Sequence, residues 1–177
     1  MPALPPDTVV AYTDGGSRGN PGPAGFGVRV ETAGGTLLEE FCEALGIATN
    51  NVAEYRGLLA ALRWAADHSH RRLHVRSDSL LLVRQMRGEY RVKNAGLQPL
   101  YRQARAMLDR FDGVTFEHVP REQNRHADRL ANLAMDNAAT SNPDVAGTPS
   151  TPRPANHSRQ HNLPFDDRLP DNGPPKK

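Results

Sequence analysis

The chain has 177 residues, which is enough for one domain of ordinary size followed by a tail. Its 22 basic and 20 acidic residues nearly balance, so composition alone does not indicate a nucleic-acid-binding protein. The single cysteine, Cys42, excludes an intramolecular disulfide framework, and no segment resembles a signal peptide or a membrane span, so we expect a soluble, cytoplasmic protein.

The first half of the chain contains three strand-type segments followed by a helix-type segment. The segments TVVAYT, AGFGVRVE and TLLEEFCEAL are separated by glycine-rich turns, which predicts an antiparallel meander of three strands. Apolar residues then recur at helical spacing after Asn51. We expect Asn51 to cap this helix, with Glu54 completing a capping box.

The second half alternates between short strands and helices. LHVRSD predicts a fourth strand, and residues 79–87 predict a short helix that stops at Gly88. Residues 97–111 have the spacing of another helix, VTFEHV is a fifth strand, and a last helix begins at about Arg125. The order βββαβααβα predicts an α/β fold, a five-stranded mixed sheet with flanking helices.

Composition changes near Asp136. Residues 137–177 hold eight of the 15 prolines and a single aromatic residue, and no apolar period runs through them. Such a segment buries too little apolar surface to offset its conformational entropy, so we expect it to be disordered. The predicted organisation is an N-terminal extension (1–7), one folded domain (8–136) and a proline-rich tail (137–177).

Four carboxylates lie at the ends of predicted elements. Asp14 follows a strand that should be central, because it is apolar throughout, and Asp78 ends the fourth strand. Glu54 and Asp128 lie in the first turns of the first and last helices. Parallel strands deliver such residues to one sheet edge. Each acid also has an ordinary structural interpretation, as a helix cap, a partner of a helix dipole or a turn former.

Four segments resemble the signature segments of type 1 ribonuclease H and occur in that family's order: YTDGGSRGNPGPAGFGV, TNNVAEYRGLLAAL, RSDSLLLVRQM and HADRLANLA. The resemblance covers about residues 8–136 and implies the ribonuclease H-like fold. It implies that Asp14, Glu54, Asp78 and Asp128 are catalytic and hold two Mg²⁺ ions, for which Mn²⁺ can substitute. The implied enzyme is a monomeric endonuclease that hydrolyses the RNA strand of RNA–DNA hybrids, leaving 5′-phosphate and 3′-hydroxyl ends.

Elementary electrostatics agrees with this implication. Four anions at one sheet edge would repel one another unless cations neutralised them, and carboxylate oxygens suit magnesium or manganese. Residues 1–136 carry 17 basic and 16 acidic residues, a net charge of +1. Two divalent ions would raise this charge to +5, so the metal-loaded domain would attract a polyanion.

The same resemblance implies a set of substrate contacts. The glycine-rich turn after Asp14 would contact the 2′-hydroxyls that distinguish RNA from DNA. We also expect the glycines at 15, 16, 19 and 22 to leave room for the hybrid backbone. The predicted substrate-binding residues are Gly15, Gly16, Ser17, Asn20, Thr49, Asn50, Asn51 and Arg121.

Arg121 belongs to this set because the sequence departs from the family there. Well-studied members carry a histidine in the loop before the last helix, whereas this loop is VPREQNRHAD. The closest position is Arg121, with Glu122 beside it. We predict that Arg121 is a phosphate or product ligand, and the alternative is a solvated loop arginine. We do not transfer the histidine's role to His118 or His126.

Two further departures concern substrate binding. Leu80 replaces a polar residue that some members use near the third acid. The segment GEYRVKNAG is too short for the basic protrusion of some bacterial members, so the chain resembles the form without it, with Arg87, Arg91 and Lys93 as candidates for a reduced version.

Two alternatives to a hybrid-specific enzyme stay open. One is a related nuclease with broader substrates, including double-stranded RNA. The other is a non-catalytic hybrid-binding module of the same fold. The presence of all four acids favours an enzyme, because binding alone does not require them.

Overall fold

The structure is a computed structural model, and it describes residues 3–141. The strands are β1 (Thr8–Ser17), β2 (Gly22–Thr32), β3 (Leu37–Ala48), β4 (Arg72–Ser77) and β5 (Gly113–His118). The helices are α1 (Asn50–Asp67), α2 (Leu80–Met86), α3 (Gln98–Leu108) and α4 (Arg125–Thr140), with a 3₁₀ turn at Arg121–Gln123. The predicted order of elements and the α/β fold class are confirmed.

The five strands form one mixed sheet in the order β3-β2-β1-β4-β5. The pairs β1–β2 and β2–β3 are antiparallel, whereas β1–β4 and β4–β5 are parallel. The ladder between β1 and β4 ends at the pair Thr13–Ser77. Asp14 and Asp78 are the next residues after this pair, so the parallel pairing of β1 and β4 places them side by side at one edge of the sheet.

Helix α1 covers one face of the sheet and forms the main core. Leu58 and Leu62, one turn apart, are fully buried and belong to the same apolar cluster as Val9 and Ala11 of β1. Helix α3 packs against α1 on this side. The apolar stripe of α1 therefore fixes the helix along β1, with its N-terminal part beside the carboxyl end of that strand.

Helix α4 covers part of the opposite face of the sheet and contacts β2 at Gly27, a residue without a side chain. A Cβ atom at Gly27 would lie 2.4 Å from Leu130 Cβ and 2.5 Å from the Ala127 carbonyl oxygen. Gly27 is paired with Asp14 in the β1–β2 ladder. The missing side chain thus lets the first turns of α4, which contain Asp128, come close to the end of β1.

The cap of α1 differs from the prediction, and the cap of α2 excludes one ordinary interpretation of Asp78. Thr49, and not Asn51, is the N-cap of α1, and its hydroxyl accepts a hydrogen bond from the Val52 N–H at 3.3 Å. Glu54 consequently lies beyond the first turn and is not part of a capping box. Ser79 caps α2 by accepting from the Leu82 N–H, so Asp78 does not cap that helix. Neither Glu54 nor Asp78 is used as a cap.

Some boundaries also differ. Helix α3 ends at Leu108, so the buried Phe111 follows the helix instead of belonging to it. Helix α4 continues to Thr140, past the predicted end of the domain at Asp136, because Ala138 is still buried. The rest of the predicted tail, from residue 142, lies outside the described residues.

Within residues 3–141, no helix combines the length and the apolar character needed to cross a bilayer.

The close contact between β2 and α4 can be tested with Gly27→Ala. The added methyl group would overlap Leu130 and the helix backbone, and overpacking of this kind costs about 1–3 kcal/mol. We expect chemical denaturation to show a loss of stability in this range. Gly34→Ala is the matched control, because its Cβ would meet nothing closer than Thr32 Oγ1 at 3.8 Å. Equal stability of the two variants would contradict this account of α4 packing.

Candidate active site

An open cavity of about 390 Å³ lies at the sheet edge where β1 and β4 end. Its lining comes from β1, α1, α4, the 3₁₀ turn and the junction between β4 and α2. The lining residues are Asp14, Gly15, Gly16, Ser17, Asn50, Asn51, Glu54, Asp78, Ser79, Arg121, Asp128, Asn132 and Met135. All four carboxylates predicted from the sequence are therefore brought to one cavity.

Three of the carboxylates form a tight cluster. Asp14, Glu54 and Asp78 each place one carboxylate oxygen within 4.8 Å of the others. Asp14 is only 9% exposed, and Glu54 Oε2 is buried. The cluster joins two neighbouring parallel strands to the helix that packs on them.

Gly15 explains how Glu54 comes so close to Asp14. A Cβ atom at Gly15 would lie 2.3 Å from the Ala53 carbonyl carbon and 2.4 Å from the Glu54 nitrogen. Only a residue without a side chain lets the backbone of α1 approach β1 to this distance. Gly15 therefore brings together two carboxylates that are 40 positions apart in the sequence.

This finding corrects the expectation that the glycines leave room for the hybrid. Backbone atoms of the protein itself fill the space at Gly15 and at Gly22, where a Cβ would lie 2.0 Å from the Arg18 carbonyl oxygen. At Gly16 the nearest atom is the side-chain Cε of Met135, at 3.1 Å. These glycines serve close packing within the domain, and a contact of Gly15 or Gly16 with substrate remains a prediction.

Burial and the clustered charges shift the titration of two acids. Burial, together with the charges of Asp78 and Asp128, raises the pKa of Asp14 to about 7. Burial, followed by the charges of Asp14 and Asp78, raises the pKa of Glu54 well above its usual range. The Gly15 backbone N–H opposes both shifts. In the metal-free protein the cluster therefore takes up protons that isolated carboxylates would release.

The cluster fits a hard divalent cation. Glu54 Oε2 is buried and has no hydrogen-bond partner among the described residues, although a buried carboxylate oxygen normally has one. Carboxylate oxygens are the ligands that Mg²⁺ and Mn²⁺ prefer. A cation between the three acids would satisfy this oxygen and remove the repulsion that contributes to the raised pKa values of Asp14 and Glu54.

Asp128 is placed differently from the other three acids. Its Oδ1 accepts a hydrogen bond from Arg121 NH2 at 2.7 Å, in an ion pair that spans the 3₁₀ turn and the first turn of α4. The Arg121 side chain is 72% exposed, so it is held at the rim of the cavity and also faces solvent. Arg121 and Asp128 both line the cavity, but Asp128 lies outside the tight cluster.

The predicted substrate contacts fall into two groups. Gly15, Gly16, Ser17, Asn50, Asn51 and Arg121 line the cavity, whereas Asn20 and Thr49 do not. Asn50 Oδ1 accepts a hydrogen bond from the Ser17 N–H at 2.7 Å, and Asn20 Oδ1 accepts one from the Asn50 N–H at 3.2 Å. Asn20 thus supports the wall of the cavity at Asn50, and Thr49 supports it as the N-cap of α1.

The two histidines on either side of the last loop are not in the site. His126 is exposed on α4 and lies 3.8 Å from Glu40 on β3, and neither His126 nor His118 lines the cavity. Arg87 donates two hydrogen bonds to the Phe116 carbonyl oxygen, so its guanidinium is used within the domain. Arg91 and Lys93 are exposed on the segment between α2 and α3.

Sequence analysis missed four residues at or beneath the cavity. Ser79, Asn132 and Met135 line it, and the buried Asn124 donates a hydrogen bond to Asp78 Oδ1 at 3.0 Å. An asparagine immediately before a predicted helix is an N-cap signal, so Asn124 could have been identified as a cap. Its contact with Asp78, 46 positions earlier, carries no signal in the sequence.

The family model described as "Reverse transcriptase-like" matches residues 12–134. A bifunctional protein of Mycobacterium tuberculosis is 53% identical over 134 residues, which is 75% of this chain and 37% of that protein. The present chain therefore spans little more than a third of the length of that relative. The solved N-terminal RNase H domain of this mycobacterial protein superposes with a TM-score of 0.74 at 52% identity, covering 76% of this chain and 97% of that one.

Two further solved structures are similar over nearly their whole length. RNase H1 of Halobacterium salinarum has a TM-score of 0.71 at 42% identity, covering 73% of this chain and 98% of that one. LC11-RNase H1, solved in complex with an RNA/DNA hybrid, has a TM-score of 0.70 at 41% identity, covering 74% of this chain and 99% of that one.

The raised pKa of Asp14 predicts how the stability of the metal-free protein depends on pH. An aspartate in the unfolded chain titrates near pH 4, so this carboxyl binds its proton more tightly in the folded state. Its contribution to stability is complete below about pH 4 and is lost as the pH rises through 7. The amide side chain of Asp14→Asn does not titrate, so this variant does not lose stability in this way. In EDTA its melting temperature should therefore be higher than that of the wild type, by a difference that grows from pH 4 to pH 8.

We expect a difference of at least about 4 °C at pH 8, the shift that roughly 1 kcal/mol produces in a domain of this size. Asp67→Asn, at the exposed far end of α1, is the matched control and should leave the pH profile unchanged. A wild type that is more stable than Asp14→Asn at pH 8 in EDTA would contradict the prediction.

Proposed function

We propose that this chain, which belongs to the type 1 ribonuclease H family, is an endonuclease. It hydrolyses the RNA strand of RNA–DNA hybrids and leaves 5′-phosphate and 3′-hydroxyl ends. The observation that carries this proposal is the cluster of Asp14, Glu54 and Asp78, with Asp128 lining the same cavity. The hybrid-bound structure of LC11-RNase H1 supports the substrate class.

A purely hybrid-binding module is disfavoured by the cost of the cluster. Buried like charges destabilise a fold, and Glu54 Oε2 has no partner among residues 3–141. A protein that only bound nucleic acid would gain nothing from a group of acids facing an anionic ligand. A catalytic role for a cation held there accounts for their presence.

Asp14, Glu54, Asp78 and Asp128 would hold the two Mg²⁺ ions of the proposed mechanism, and Mn²⁺ could replace them. Bound there, the ions would supply Lewis-acid charge to the attacking water and to the leaving oxygen of an in-line displacement at phosphorus. The role of the chain is to hold the four carboxylates together and correctly oriented. The rigid ends of β1 and β4 and the close approach of α1 at Gly15 provide this orientation.

Arg121 would provide a fixed positive charge beside the reacting phosphate. It already binds one anionic group, the Asp128 carboxylate, and its high exposure leaves the guanidinium accessible to substrate or product. A guanidinium stays protonated throughout the working pH range, so Arg121 can stabilise charge but cannot accept a proton. We therefore assign it a phosphate- or product-binding role.

The wall formed by Ser17 and Asn50 is the proposed contact for the RNA strand. Asn50 Oδ1 accepts from both the N–H and the hydroxyl of Ser17, which fixes the end of β1 against the start of α1. Ser17, Asn50 and Asn51 line the cavity beside the carboxylates with donors and acceptors of hydrogen bonds. Such groups can pair with a 2′-hydroxyl, the feature that distinguishes RNA from DNA.

The proposed reaction is tested by incubating a labelled RNA–DNA hybrid, an RNA duplex and a DNA duplex with the protein and Mg²⁺. We expect cleavage of the RNA strand of the hybrid and no cleavage of duplex DNA. Asp78→Asn should lower the hybrid-cleaving rate by about a thousandfold or more, equivalent to roughly 4 kcal/mol of transition-state stabilisation. Asp67→Asn serves as the control with unchanged rate. Cleavage of duplex RNA at a comparable rate would show the broader nuclease instead.

The role of Arg121 is tested with Arg121→Ala. Loss of one phosphate contact in the transition state should reduce the rate by about tenfold to a hundredfold, equivalent to roughly 1.4–2.8 kcal/mol. The pH–rate profile from pH 6 to 10 should keep its shape, because the guanidinium does not titrate in that range. His126→Ala, at an exposed position of α4, is the control. Full activity of Arg121→Ala with loss of activity in His126→Ala would overturn the assignment.

A further inference from the structure

Asn124 is a buried polar residue at the junction of three functional elements. It lies between the 3₁₀ turn and α4, and only 1% of its surface is exposed. Its Nδ2 donates one hydrogen bond to the Thr13 carbonyl oxygen and another to Asp78 Oδ1, both at 3.0 Å. One amide group therefore joins the end of β1 to the first residue after β4.

The two hydrogen bonds lie where the strand pairing stops. Thr13 and Ser77 form the last pair of the parallel ladder, and Asp14 and Asp78 follow them. The Thr13 carbonyl oxygen accepts its hydrogen bond from Asn124 at this point. The side chain of Asn124 thus continues the connection between the strands beyond the ladder, beside two of the clustered carboxylates.

The backbone of Asn124 also fixes a third carboxylate residue. Its carbonyl oxygen accepts a hydrogen bond from the Asp128 N–H at 3.0 Å, the first bond of α4. The Asn124 N–H itself donates to the Arg121 carbonyl oxygen at 2.9 Å. The position of Asn124 therefore determines where the first turn of α4 presents Asp128.

The side chain of Asn124 does not cap α4, although Asn124 lies at the N-terminus of that helix. Asparagine is a favoured N-cap because its oxygen can accept from the N–H groups of the first turn. In this structure the side chain makes no capping bond to α4. Its Oδ1 is buried without a hydrogen-bond partner among residues 3–141. The contact with Asp78 thus replaces a stabilising cap and leaves a buried acceptor unsatisfied.

We propose that Asn124 is a positioning residue that holds Asp78 and Asp128 in the arrangement that binds divalent cations. This inference rests on the proposed function. A neutral donor suits the position, because it can bind a carboxylate without adding charge to a site that already contains several anions. An aspartate there would be a further anion beside Asp78, and a serine would be too short to bridge Thr13 and Asp78.

The test compares the full chain with Asn124→Ser, which keeps a favoured N-cap residue but loses the contact with Asp78. Mg²⁺ affinity is measured by isothermal titration calorimetry without nucleic acid, and kcat and KM are measured on a labelled hybrid. We expect Mg²⁺ binding to weaken by about tenfold to a hundredfold, as for other residues that orient metal ligands, and kcat to fall by a similar factor. KM should change by less than about threefold.

Tyr55→Phe is the matched control for the loss of a buried hydrogen bond. It removes the 2.7 Å bond from the Tyr55 hydroxyl to Gln85 Oε1, away from the cavity, and should leave Mg²⁺ affinity and kcat at the wild-type values. Wild-type Mg²⁺ affinity in Asn124→Ser, or an equal loss in Tyr55→Phe, would overturn the proposal and leave Asn124 with a structural role only.

Two additional measurements separate the possible failures. If Asn124→Ser does not fold, Asn124→Asp replaces it, because this variant keeps the shape of the side chain but loses the N–H donor. A kcat equal to that of the wild type in Asn124→Asp at pH 8 would overturn the proposal. A wild-type protein that binds Mg²⁺ but does not cleave the hybrid would contradict the proposed function. Weaker Mg²⁺ binding by Asn124→Ser would still support the positioning role in that case.

Discussion

Mutual repulsion among Asp14, Glu54 and Asp78 is the constraint around which this domain is arranged. Three carboxylates within 4.8 Å of one another, partly removed from water, oppose folding in the absence of a cation. The rest of the domain must therefore supply enough packing energy to hold them together. A central strand buried on both faces and the apolar stripe of α1 supply it. The fold itself therefore assembles the cluster, as a preorganised site requires.

Close backbone packing at two glycines brings the acids to one edge of the sheet. At Gly15 the chain of α1 approaches β1 more closely than any side chain would allow, and at Gly27 the same holds for α4 and β2. These two contacts lie on opposite faces of the sheet, one beside Glu54 and the other near Asp128. The two helices therefore deliver their acids to the sheet edge from both sides, while β1 and β4 deliver Asp14 and Asp78 directly.

Neutral and positive groups of the chain surround the acids in complementary ways. Asn124 gives Asp78 a hydrogen bond without adding charge, and Arg121 gives Asp128 a cationic partner at the exposed rim. Asp128 is thus paired directly with a cation of the protein, whereas Arg121 acts on Asp14 only through its more distant charge. This difference separates a buried group of three acids from an ion pair at the exposed rim of the cavity.

The sequence by itself determined the order of the elements, the position of β1 at the centre of the sheet and the four acids, because these follow from local periodicity and from motifs of adjacent residues. It misassigned the cap of α1, and it explained Gly15 by substrate access when the cause is the backbone of Ala53. Only the tertiary structure showed the contact between Asn124 and Asp78 and the pairing of Arg121 with Asp128. The physical reason is the same in each case: hydrogen bonds and steric contacts depend on distances of a few ångströms, and the folded chain alone sets those distances between residues far apart in the sequence.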